Sequence, residues 1–181
     1  RLIMAQIDDF KANLIGGGYR TNQFRVTITP PPGIAIGLDV RRTSFLCKAT
    51  TLPNIVIAPL PLSYRGRQIQ IAGDRDTSGV WATTFYMDTD MMILNALQRW
   101  SNGINDFDTN TGVNSLADYA TDLTAEMLDR DDTVLKTYVF KNAWPTDVGA
   151  PPALDSSAGT AIGEFDCSWQ YQNYSLSGVN F

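Results

Sequence analysis

The sequence predicts a mainly β protein: an antiparallel β-sandwich or barrel with one flanking amphipathic α-helix. Three observations predict it. Several segments alternate apolar and polar residues with period two, as half-buried strands do. One stretch, "DMMILNALQRWSN" (90–102), instead repeats its apolar residues at helical spacing. Strand patterns lie on both sides of that stretch in the chain, an order that fits a β layer with a helix packed on one side.

In chain order, residues 1–20 read as an N-terminal arm that ends at the flexible hinge Gly16-Gly17-Gly18. "NQFRVTIT" (22–29) is a strand with Phe24, Val26 and Ile28 on one face, ended by Pro30-Pro31-Pro32-Gly33. "TSFLCKAT" (43–50) reads as the next strand. "YRGRQIQIAGD" (64–74) sets Ile69 and Ile71 opposite Gln68 and Gln70, and "GVWATTFYMD" (79–88) is rich in β-branched and aromatic residues. The helix is expected to be capped by Asp88 or Thr89, with Ile93, Leu97, Trp100 and Ile104 in one stripe and Gly103 as its stop. Residues 115–128 fit helix and strand equally. "TVLKTYVFKN" (133–142) returns to strand, and "AWPTDVGAPP" reads as a turn anchored by Trp144. Finally "IGEFDCSWQYQNYS" (162–175) alternates Phe165, Cys167, Trp169 and Tyr171 with Glu164, Asp166, Ser168, Gln170 and Gln172. A strand of that length would reach about 40 Å, with one dry and one wholly polar face.

One segment resists this scheme. "LPNIVIAPLPL" (52–62) is almost wholly apolar yet contains Pro53, Pro59 and Pro61. A central strand would lose ladder donors and a helix would break, so an extended, irregular segment is expected. Something must then cover Leu52, Ile55, Val56, Ile57, Leu60 and Leu62.

Composition narrows the chemistry. At 181 residues and 44% apolar content, one domain spanning 1–181 with a sizeable core is expected. No apolar run is long enough for a membrane anchor, and Asp8, Asp9 and Lys11 interrupt any signal-peptide core, so an intracellular or virion protein is expected. The net charge of -5 argues against a surface that grips phosphates. Cys47 and Cys167 read as two buried thiols. The absence of histidine removes Ser-His-Asp and Cys-His nucleophile systems and every His-ligated metal site. "DFDTNTG" (106–112) starts like a calcium loop, but Thr111 replaces the required glycine and Ala117 the bidentate glutamate, so it reads as a solvated loop. "AGDRD" (72–76) reads as a hairpin turn between strands, and "LDRDDT" (128–133) as a charged turn. No catalytic residue, cofactor or metal is predicted.

The order "FLCKATTLPNIVIAPLPLSYRGRQIQIAGDR" (45–75), "LQRWSNGIN" (97–105), "NAWPTDVG" (142–149) and "GEFDCSWQYQNY" (163–174) resembles the major tail tube proteins of contractile-tailed bacteriophages. Residues 30–42 and 106–132 look like variable insertions in that comparison. The resemblance implies a structural virion protein whose sandwich subunits form hexameric rings, with sheets joined around a lumen. The rings would stack into the inner tail tube inside a contractile sheath, with baseplate and tape measure proteins as further partners. Double-stranded DNA would pass through without specific binding. Related tubes serve contractile injection systems and type VI secretion, which is the alternative reading.

The resemblance further implies that segment 51–63 projects to neighbouring subunits, giving Leu52, Ile55, Val56, Ile57, Leu60 and Leu62 an interface role. A DNA-conducting lumen should be polar and non-cationic, because cationic walls hold DNA by counterion release. The polar face of the last strand (Glu164, Asp166, Ser168, Gln170, Gln172), with Gln68 and Gln70, would then line it, and Arg25, Arg65 and Arg67 would sit at subunit contacts. From other classes, a monomeric β-sandwich binding module and a carboxylate hydrolase remain open.

Overall fold

A computed structural model describes residues 2–181, with side chains described from Ile7 onward. The strands are β1 (Phe24–Thr27), β2 (Cys47–Thr51), β3 (Val56–Tyr64), β4 (Arg67–Asp76), β5 (Trp81–Tyr86), β6 (Thr121–Leu128), β7 (Val134–Val148), β8 (Glu164–Gln170) and β9 (Asn173–Gly178). The helices are α1 (Leu2–Asn13), α2 (Val40–Leu46), α3 (Met92–Ile104) and α4 (Leu116–Tyr119), with a short 3-10 turn at Ile15–Gly17.

All pairings are antiparallel. A seven-stranded sheet runs β1-β6-β7-β8-β5-β2, with β9 also on β7, and β3 and β4 form a separate two-stranded ribbon. β7 holds the large sheet together. Its first half pairs with β6 and β9, as in Tyr138↔Ala125 and Tyr138↔Leu176. Its second half pairs with β8, beginning at Trp144↔Gln170. Between them Asn142 adopts a left-handed φ of 50°, and the register shifts between Pro145 and Asp147. The expected turn at "AWPTDVG" is therefore a bend inside a strand, and Pro145 sits at the irregularity that tolerates its missing N–H.

The core lies between the two halves of this bent sheet and α3. Trp81 stacks on Phe140 at 4.5 Å, and Trp100 of α3 meets Trp169 edge-on at 5.5 Å. The predicted stripe is in place, with Ile93, Leu97 and Trp100 buried and Ile104 packed at the margin. The caps differ from expectation. Met91 is the left-handed N-cap residue, and the Asp90 carboxylate accepts the Met92 N–H at 3.2 Å. Gly103 is no stop either: it lies in the last turn, where a Cβ would come within 2.8 Å of Ile34.

Other expectations change as well. Residues 43–46 are helical, because the Asp39 carboxylate caps α2 through the Arg42 N–H at 3.2 Å and Thr43 donates back to the Asp39 carbonyl. The ambiguous stretch 115–128 holds both α4 and β6. β6 pairs with both β1 and β7 and buries Leu123, Ala125 and Leu128, so residues 121–128, within 106–132, are part of the sheet and its core. Likewise Ile36, within 30–42, is buried in the core. The last long strand is broken: β8 ends at Gln170, and the Gln172 N–H turns back to the Lys141 carbonyl at 3.0 Å. Phe165, Cys167, Trp169 and Tyr171 are nevertheless all buried. "AGDRD" belongs to β4, and the hairpin turn is Arg65-Gly66, where φ values of 45° and 80° suit a two-residue primed turn.

Candidate assembly surfaces

The first surface is the β3–β4 ribbon. Every residue of β3 is exposed, so segment 52–62 is not irregular but mostly an edge strand in water. Its prolines obey edge-strand rules, since β3 has a partner on one side only. Directly paired residues share a face, and the register pairs Leu60 with Ile71 and Leu62 with Ile69. The opposite face pairs Pro61 with Gln70 and Ser63 with Gln68. One side of the ribbon is thus an aliphatic strip and the other is proline and amide. Ile55, Val56 and Ile57 lie at its base, also exposed. Leu52 stands apart: it is half-buried and packs against the core. A two-stranded hairpin with both faces wet is marginal in water on its own.

The second surface is the polar face of β8 and its neighbours. Glu164, Asp166 and Ser168 pair with Tyr86, Thr84 and Ala82 on β5, and Ser168 pairs with Asp147 on β7. The Thr84 hydroxyl donates to Asp166 at 2.7 Å. Lys48 reaches Glu164 at 2.5 Å, and that bond raises the lysine's pKa. Glu164 is therefore charge-compensated, while Asp147 and Asp166 form no ion pair among the described residues. Asp147 was missed at the sequence level because the presumed turn hid its strand. Gln170 ends the polar face, Gln172 lies in the break beyond it, and Gln68 and Gln70 belong to the separate ribbon. The residues assigned together to one wall thus sit on two different sheets. Arg25 bonds Glu126 within the chain at 3.3 Å, whereas Arg65 and Arg67 flank the ribbon's tip.

Among the described residues no cluster of three or more Cys, Asp or Glu could hold a metal. In the loop 106–112 the Asp106 carboxylate accepts the N–H groups of Thr109 and Asp108, which lowers its pKa and occupies its oxygens locally. Cys47 and Cys167 are free and buried.

Comparison with known proteins places these surfaces in context. The family profile described as "Phage tail tube protein" matches residues 19–177, including the segments that the sequence resemblance set aside. The tail tube protein of Serratia phage KSP90 is 28% identical, covering 93% of this chain and 95% of the relative. Tail tube protein gp19 of Enterobacteria phage T4 is 28% identical, covering 79% and 83% respectively. Among solved structures, a chain of the PVC sheath-tube complex of an extracellular contractile injection system superposes with a TM-score of 0.61, at 14% identity and 93% and 97% coverage. A chain of the anti-feeding prophage cap gives 0.62 at 15% identity, covering 89% and 91%. The relatives are structural tail components, not enzymes. With a profile match over nearly the whole sequence, a β-sheet body and a solvent-exposed apolar ribbon, the chain belongs to the phage tail tube protein family.

Proposed function

We propose that this protein self-assembles into stacked hexameric rings that form the inner tube of a contractile phage tail and conduct double-stranded DNA into the host. Assembly takes place in the host cytoplasm, around tape measure protein, from a baseplate and inside a sheath. The observation that carries this reading is the bare aliphatic strip of the β3–β4 ribbon. Leu60, Leu62, Ile69 and Ile71 are each about half exposed in the single subunit. Covering what remains of each is worth about 1 kcal/mol, and a neighbouring subunit is the cover that a tube supplies. Ile55, Val56 and Ile57 extend that contact at the ribbon's base.

The wet face of β8, β5 and β7 suits the inner wall. Its uncompensated charges are Asp147 and Asp166, which repel phosphate, and Thr84, Ser168 and Gln170 keep it hydrated. A monomeric binding module would leave the ribbon without a role. Replacing Leu60→Asp and Leu62→Asp together tests the reading, because unpartnered carboxylates in a dry contact cost several kcal/mol. A folded subunit that no longer forms rings or tubes by electron microscopy is expected; normal tubes would refute it. Tubes of injection systems share the fold, and the phage assignment follows the family profile.

A further inference from the structure

The β3–β4 ribbon and one long loop leave the body at opposite ends of the same strands. The ribbon springs from Thr51 of β2 and Trp81 of β5, the end of the sheet at which β8 finishes. Residues 149–163 join β7 to β8 and spring from the other end, where Glu164 begins β8 beside Tyr86. Residues 150–162 are all exposed, Leu154 by 96% and Ile162 by 71%. Pro151 and Pro152 restrict the backbone at the start of this loop.

The two projections are opposite in charge. Between Val56 and Gly73 the only charged residues are Arg65 and Arg67, at the ribbon's tip. The acids of the ribbon lie at its base, where Asp76 pairs with Val56, Arg75 pairs with Ile57 and Asp74 adjoins them. Arg65 lies over the Tyr64 ring at 5.3 Å, and neither tip arginine makes an ion pair among the described residues. The only charged residue within 149–163 is Asp155. The Ser157 hydroxyl and N–H both donate to one Asp155 oxygen, at 2.7 and 2.9 Å, which lowers the carboxyl's pKa and keeps it ionised.

Apolar surface accompanies both charges: the aliphatic strip of the ribbon on one side, Leu154 and Ile162 on the other. Because the projections leave from opposite ends, a contact between them joins two copies head to tail. It leaves one ribbon and one loop free at the ends of the pair, so it repeats as stacking requires.

We infer that the ribbon of one copy docks on the 149–163 loop of a copy in the next ring, with its aliphatic strip on Leu154 and Ile162 and its tip arginines on Asp155. The inference rests on the self-assembly reading above and names the surface that covers the ribbon.

A chain carrying Leu62→Cys and Leu154→Cys, assembled and treated with a short bis-maleimide, tests the contact. Both positions are exposed, and the native thiols Cys47 and Cys167 are buried. A denaturing gel should show a ladder at multiples of 19.9 kDa, which neither single variant gives. Separately, Asp155→Arg should raise the concentration needed for tube formation by about tenfold or more, because it sets like charges together. Adding Arg65→Asp and Arg67→Asp to the same chain should restore tubes. Tubes without a ladder, or normal tubes from the Asp155→Arg chain, would overturn the docking and leave the tube reading intact. Failure of the unsubstituted protein to form tubes would overturn both.

Discussion

Trp169 on β8 donates its indole N–H to the hydroxyl of Thr83 on β5, 2.9 Å away, with both residues buried. The same hydroxyl donates to the Cys167 carbonyl at 3.3 Å. One oxygen therefore satisfies the indole at the centre of the aromatic core. Thr83→Val conserves shape but leaves that N–H unpartnered, a cost of about 1–3 kcal/mol. In a chain of this size the melting temperature should fall by about 2–4 °C per kcal/mol, and Thr83→Ser should retain most of the stability. An unchanged melting temperature for the valine variant would contradict this account.

The polar face of β8 makes a charge prediction. Converting Asp147→Lys and Asp166→Lys replaces the uncompensated negative charges there by positive ones, on side chains that the single subunit leaves exposed. Tubes should assemble yet retain DNA, with retention declining steeply as salt rises. Particles carrying the variant should adsorb to hosts but deliver genomes poorly. Normal delivery would remove this face from the inner wall.

Arg42 links α2 to the approach to α3, bonding Asp88 and also Asp90 at 2.7 Å. These bonds are the first cause of the lowered pKa of both aspartates, followed by the Thr89 and Met92 N–H groups respectively. Depressed folded-state values place the stabilisation above the ordinary aspartate value of about 3.9, and it is lost as pH falls through the lower folded values. The side chains are 35–52% exposed, so solvent screening keeps the effect small. Arg42→Gln should melt earlier than the parent near about pH 6, and the difference should shrink as pH falls below the ordinary aspartate range. A difference that persists in acid would mean the arginine acts through packing instead.

Burial pushes the Cys47 thiol up to about 12, and burial likewise raises Cys167, with Asp147 adding to it. Both should resist thiol reagents at pH 8 in the native subunit and react once denaturant is added. Rapid labelling of Cys47 in the folded protein would show that its burial does not shield the thiol.

The sequence made legible whatever kept a simple period. β1, β5, α3 and the buried aromatic face of β8 follow from alternation or helical spacing, because burial on one face dictates both. The losses have identifiable causes. Phe45 and Leu46 look like strand residues, and only Asp39, placed to cap Arg42, marks the helix. Pro145 conceals the continuity of β7 and, with it, the place of Asp147 beside Ser168. The ribbon was readable: Arg65-Gly66 between apolar alternations is a two-residue turn signal, but the prolines of β3 masked its pairing. Gln68 and Gln70 were grouped with the β8 face because alternation reveals a face and not which sheet it belongs to. The break at Gln172 has no sequence signal, since Tyr171 stays in phase and is buried.

The connectivity of the strands also sets an order of events in the growing chain. β1 finds its hydrogen-bonding partner only when residues 121–128 exist, and β5, which can already pair with β2, lacks its second neighbour until β8. The ribbon waits for nothing, because β3 and β4 are joined by two residues and close on themselves. On the ribosome the apolar hairpin is therefore complete while the body that carries it is still unformed. A nascent chain in that condition risks pairing with its neighbours, and Pro59 and Pro61 lie on the strand whose free edge would recruit them. The same two prolines that obscure the strand in the sequence thus guard the unfinished subunit against premature partners.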